Sequence, residues 1–157
     1  MTGTKTLVAG IGNIFNGDDG FGSEVAQRLT RRPIPDGVRV EDYGIRGVHL
    51  AYELLEGYDL VVLIDALPRG EPPGTVFVLE PEVDLDDVPP LDSHQMDPRA
   101  VLGMVAEMGG KMGRLLLVGC EPADIDEGIG LSPPVAAAVD AAVAMVEELI
   151  TEKEMVS

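Results

Sequence analysis

Lys5 to Gly22 reads KTLVAGIGNIFNGDDGFG. The run from Lys5 to Ile11 is apolar and passes into glycine, after which Phe21, Val25 and Leu29 recur at four-residue spacing on a segment that stops before Pro33. A buried strand followed by an amphipathic helix is one βα unit. The turn between them, Gly10 to Gly22, is glycine-rich, as phosphate-cradling turns are. Asp18 and Asp19, however, set two negative charges where a phosphate has to sit, so this turn reads as one built for cations.

The βα pattern then repeats. Val38 to Asp42 (VRVED) alternates as a second strand, and Val48 to Leu55 makes a short helix carrying Leu50, Leu54 and Leu55. Leu60 to Asp65 (LVVLID) is apolar until its last residue, which predicts a strand buried on both faces with Asp65 emerging at its carboxyl end. That end is where open α/β sheets bind ligands. A loop rich in Pro and Gly, Ala66 to Pro73, leads into Gly74 to Leu79 (GTVFVL). It is too short for the helical crossover that a parallel pair requires, so this strand is expected to run antiparallel.

Val83 to Leu91 is acidic, contains Pro89 and Pro90, and reads as an exposed loop. Pro98 suits the first position of a helix with Val101, Met104, Val105 and Met108 as its apolar stripe. Arg114 to Gly119 (RLLLVG) is the fifth strand. Ser132 reads as the N-cap of a last helix, with Pro133 behind it and Val135, Val139, Ala142, Val146 and Leu149 on its buried face. Thr151 to Ser157 is expected to fray. Together these elements predict an α/β fold: a three-layer αβα sandwich around a five-stranded, mostly parallel sheet with one antiparallel strand.

At 157 residues the chain has the size of one domain, 1–157. Its 28 acids against 11 bases give a formal charge of −17, which removes the attraction that nonspecific nucleic-acid binding needs. No nucleic acid and no anionic membrane is expected as a partner, and the charge favours a monomer. The apolar runs are far shorter than the roughly 20 residues that cross a bilayer, and no export signal precedes them. With a single cysteine, Cys120, the chain forms no internal disulfide, which fits a cytoplasmic protein.

Asp19 and Asp65 stand at the ends of two strands that are neighbours in such a sheet, and His94 lies in a loop, SHQMDP, that leads into a helix. Two carboxylates and an imidazole suit a divalent transition metal with coordination positions left open. Taken singly, each has a plainer reading, as a solvated or capping acid or a surface histidine; it is the joint placement that favours a site. His49 reads as structural or solvent-facing, and Cys120 as a small buried hydrophobe. The turn DYGIRG, Asp42 to Gly47, lets backbone approach a partner closely. Within it Arg46 either grips a substrate carboxylate or carbonyl, or pairs with the surrounding acids. No nucleotide is expected: Phe15 replaces the third glycine of a dinucleotide fingerprint, and no Walker lysine follows.

DLVVLIDALPRG resembles the phosphoacceptor strand of two-component receiver domains, where an acidic pair and a strand-end aspartate hold Mg²⁺; there Asp65 would be phosphorylated. Receivers place a lysine at the end of strand five, where this chain has Gly119, Cys120, Glu121 and Pro122. The ordered set GIGNIFNGDDGFG, DYGIRG, VLIDAL, SHQMD, LLLVGCEP and GIGLSPPV, covering nearly the whole chain, resembles the hydrogenase maturation proteases. These endopeptidases trim the large subunit of nickel–iron hydrogenases.

What that resemblance implies is a metal site of Asp19, Asp65 and His94, with Asp19 and Asp65 the catalytic acids and Asp42, Gly44, Arg46 and Gly47 helping to receive the substrate. The first acid is commonly glutamate in the family, so Asp19 is shorter by one methylene, and Asp18 is a candidate to share its role. The resemblance further implies that nickel, presented by the immature large subunit, signals removal of a C-terminal extension. Either a metal-polarised carbonyl or water, or a carboxylate acting as general base, fits the cleavage step. No HExxH helix marks an ordinary zinc protease, and no serine or cysteine has a recognisable base partner.

Overall fold

The structure, a computed structural model, describes residues 5–81 and 98–156, with the backbone alone for residue 98 and for residues 152–156. Strands β1 (Thr6–Ile11), β2 (Val38–Gly44), β3 (Leu60–Ala66), β4 (Val76–Leu79) and β5 (Arg114–Cys120) form one sheet in the order β2-β1-β3-β5-β4. The first four in that order pair in parallel, and β4 pairs antiparallel with β5, as the loop length predicts. That loop crosses the end of β5 through bonds from Leu67 N to Cys120 O (3.0 Å) and Gly74 N to Glu121 O (2.9 Å), bringing β4 down on the outer edge.

Every residue of β1 and β3 is buried, because helices cover both faces of the central strands. Helices α1 (Phe21–Thr30) and α4 (Pro133–Val156) lie on one face: Phe21, Val25 and Leu29 meet Val8, Val62, Ile64 and Val118, and Val135, Val139, Ala142 and Val146 complete that core. Helices α2 (Gly47–Leu54) and α3 (Pro98–Glu107) cover the other, where Leu50, Leu54, Val101 and Val105 pack on Leu7, Ala9, Ile11 and Leu63. Alternate strand residues thus feed the two cores, the period-two signature of a sheet.

Leu55 and Met108, expected in the apolar stripes, are exposed because each lies just past the end of its helix. Ser132 stands at the expected cap position before α4, its carbonyl accepting from Ala136 N (2.8 Å), but its hydroxyl goes to Asp18 (2.8 Å). The backbone of α4 is helical to Val156. The loop read over Val83 to Leu91 lies outside the described residues.

One close approach fixes how α1 sits. A Cβ on Gly22 would lie 2.1 Å from Ile64 O and 2.4 Å from Ile11 O, so only glycine lets the first turn of the helix rest on β1 and β3. Gly22→Ala is expected to lower stability by about 2–4 kcal/mol, because backbone cannot yield as a side chain does. Urea unfolding reads this directly, and a wild-type midpoint would refute it.

Candidate active site

The parallel register carries the acids to one rim. Gly10 pairs with Ile64 across β1 and β3, so Ile11 runs level with Asp65 and the first loop starts beside that carboxylate. This is the point where the chain's connections diverge, β1 leading by α1 to β2 on one side while β3 leads onward to β4 and β5 on the other. Open α/β sheets place their ligands at such a divergence.

Gly12 joins the two acids. Its φ of +131° suits glycine, and a Cβ there would sit 2.0 Å from Asp19 O and 3.4 Å from Asp65 Oδ1. The Asp19 main chain and the Asp65 side chain therefore flank the same bare backbone position. Asp65 is buried, and its Oδ1 accepts from Ala66 N (2.8 Å). Asp19 is half-buried on a 3-10 turn, Gly17–Gly20, and its Oδ2 accepts from Asn13 N (2.9 Å). Burial raises the Asp19 pKa above the usual carboxylate range, against the lowering effect of the Asn13 bond. A carboxylate so placed is a better proton acceptor than an exposed one.

Asp18 behaves quite differently from its neighbour. It is fully buried and accepts four bonds: from Ala123 N (2.8 Å), Asp124 N (3.0 Å), Ser132 N (2.7 Å) and Ser132 Oγ (2.8 Å). Burial would raise its pKa, but the Ser132, Asp124 and Ala123 donors outweigh that and hold it below the usual range. Asp18 is thus an anchor for the loop that carries Asp19 and has no free oxygen with which to share its role. The receiver reading fails on the same point, because that chemistry needs both acids of the pair turned to a metal.

Of the residues expected to receive substrate, Asp42, Gly44 and Arg46 line an open groove of about 280 Å³ with Gly12, Phe15 and Ile45. Gly47 is buried at the start of α2. The Asp42 carboxylate is engaged by Ser23 Oγ (2.7 Å), Gln27 Nε2 (3.0 Å) and Gly44 N (3.0 Å), so it braces β2 against α1. Arg46 does not pair with the surrounding acids: its guanidinium donates to the Asp42 and Tyr43 carbonyls and lies over the Tyr43 ring. Exposed at the groove, it remains the cation there.

His94 lies outside the described residues, and among those residues no group of three metal-ligating side chains occurs. His49 is exposed and Cys120 buried, as expected. Burial first, and then the Asp18 charge, push the Cys120 thiol up to about 11, so it is no nucleophile at neutral pH. Glu121 is an unanticipated brace: buried, its Oε1 accepts from Arg69 N (2.7 Å) and Glu71 N (3.0 Å) and pins the loop after β3.

Comparison with known proteins identifies the family and the fold. Residues 23–149 match a family model described as hydrogenase maturation protease. The hydrogenase expression/formation protein HoxM of Azotobacter vinelandii is 32% identical over 165 residues, which span all of this chain and 77% of that protein. The solved hydrogenase maturating endopeptidase HybD of E. coli superposes with a TM-score of 0.77 at 28% identity, covering 94% of this chain and 93% of the other. The HycI maturation protease of Thermococcus kodakarensis gives 0.74 at 25% identity, with 94% and 93% covered.

Proposed function

The chain belongs to the hydrogenase maturation protease family, and on that premise we propose that it is a nickel-dependent endopeptidase that removes the C-terminal extension of the immature large subunit of a nickel–iron hydrogenase. The observation that carries this reading is the convergence of Asp19 and Asp65 on Gly12 at the rim of the sheet. Nickel enters here as part of the substrate. Asp19, Asp65 and His94 supply two oxygens and a nitrogen, an incomplete set that suits a divalent ion already held by thiolates on the incoming chain. The buried thiol of Cys120 adds no soft donor, so selectivity for loaded substrate comes from what the partner itself presents.

For the cleavage, Asp19 serves as the general base, its proton affinity raised by burial. It takes a proton from a water whose oxygen bonds to the scissile carbonyl carbon. The C–N bond then breaks, and the departing amine takes the proton that Asp19 holds. Asp65, positioned at the end of β3 by the bond from Ala66 N, holds the substrate's metal side of the site. The exposed Arg46 and the open backbone at Gly44 line the path along which an extended tail lies.

Incubating the protein with nickel-loaded and nickel-free precursor, and following the shortened product by mass, tests this. Cleavage is expected for the loaded form alone. Equal cleavage of both forms removes nickel from the recognition step, and cleavage of neither removes the processing reading.

A further inference from the structure

Two loops beside the site are joined into one platform. Gly17 N donates to Gly128 O, Gly128 N to Phe15 O and Asp18 N to Asp124 O, each at 2.8 Å, while the Asp18 carboxylate ties the same loop to the start of α4. From this platform four large apolar side chains stand in solvent: Ile129 is 81% exposed, Phe15 58%, Ile125 53% and Ile14 46%. Asp124, Asp126 and Glu127 share an open groove of about 270 Å³ with Ile129, and among the described residues no Lys or Arg pairs with these acids. Apolar side chains held in the open by main-chain bonds and rimmed by unneutralised charge mark an interface, because little ordering entropy opposes contact.

We infer that this platform, Ile125 and Ile129 with Phe15 and the acids 124, 126 and 127, docks the folded body of the substrate protein through an apolar patch rimmed by lysine or arginine, beside the groove that takes the tail and meeting it at Phe15. The inference rests on the processing reading for the identity of the partner. Charge chooses the occupant. A second copy of this chain, at −17, would bring like charge against like, whereas a basic rim neutralises the three acids as the isoleucines are covered. The platform is continuous with the loop that carries Asp19, so a body docked there presents its terminus to the neighbouring rim. Acids at the edge of such a contact raise the association rate and its salt sensitivity, and the central isoleucines lengthen residence.

The test measures binding of nickel-loaded precursor to the full chain carrying Asp65→Asn, which slows turnover enough for binding to be read, with and without Ile129→Asp or Glu127→Lys. Both surface positions are exposed, and melting temperatures check that each variant is folded. Ile129→Asp is expected to weaken binding about tenfold or more. Glu127→Lys is expected to weaken it at low salt and to flatten its dependence on ionic strength. Binding unchanged by both substitutions overturns the surface, even where wild-type protein cuts the precursor. Self-association of wild type that Ile129→Asp abolishes overturns it as well, in favour of a second copy. A precursor that wild type leaves uncut but that binds through Ile129 and Glu127 sinks the processing reading and upholds the platform.

Discussion

Asp65→Asn is expected to yield a folded protein that processes its precursor about 10²–10⁴-fold more slowly than wild type. The substitution keeps the volume of the side chain, and Asn Oδ1 can still accept from Ala66 N at the end of β3. What changes is a carboxylate into a neutral amide of the same shape at a buried position. With the volume and the bond from Ala66 N kept, unfolding by urea is expected near the wild-type midpoint. Activity depends on the charge itself, through the substrate's metal and the field at the scissile carbonyl, and a neutral amide supplies neither. Product formation followed by mass against time, beside an urea melt on the same preparation, separates loss of chemistry from loss of fold. His94→Ala is the companion, aimed at the nitrogen donor of the proposed set. Full processing by Asp65→Asn removes that residue from the mechanism.

The site is legible in the sequence to the extent that it depends on strand ends. A run such as LVVLID can be buried on both faces only in the middle of a parallel sheet, and its last residue must then reach the ligand-binding rim. With β1 beside β3, Asp19 and Asp65 follow to the same edge. The antiparallel β4 was equally accessible, because loop length forbids the alternative. Asp18 was not. Its spacing from Asp19 says nothing of its donors, which come from residues 105 and more positions further along the chain, and a lone acid in a glycine-rich turn is ordinarily solvated. The bonds that Arg46 makes were hidden for the opposite reason. Its partners are the carbonyls of its own turn, and a side chain that folds back on local backbone leaves no periodic trace. Glu121 combines the two difficulties, accepting from backbone N–H groups 50 and 52 residues away.

That contrast between adjacent acids gives the second large effect. Asp18→Ala is expected to destabilise the protein by about 3–5 kcal/mol, since it strands three backbone N–H groups and a hydroxyl that a buried carboxylate now satisfies, and hydrogen bonds to a charged acceptor are among the stronger ones. Against a total of roughly 5–15 kcal/mol for a domain this size, the chain stays folded at neutral pH or sits at the margin, and the damage concentrates where the donors lie. The segments released are the loop that carries Asp19, the loop of residues 123–131 and the first turn of α4. Amide exchange is therefore expected to rise there first, with processing lost as Asp19 loses its position beside Gly12. Acid sensitivity supplies an independent reading with a definite sign. The folded-state pKa of Asp18 lies below its ordinary 3.8, so its contribution is complete above that value and drains away as pH falls from there through the depressed folded value. Wild type is expected to lose stability steeply across that interval. Asp18→Asn, which has no proton to gain, starts less stable because its amide nitrogen faces donors, and it should show a shallower decline. Parallel acid-unfolding curves for the two proteins would show instead that the carboxylate does not hold the loops together.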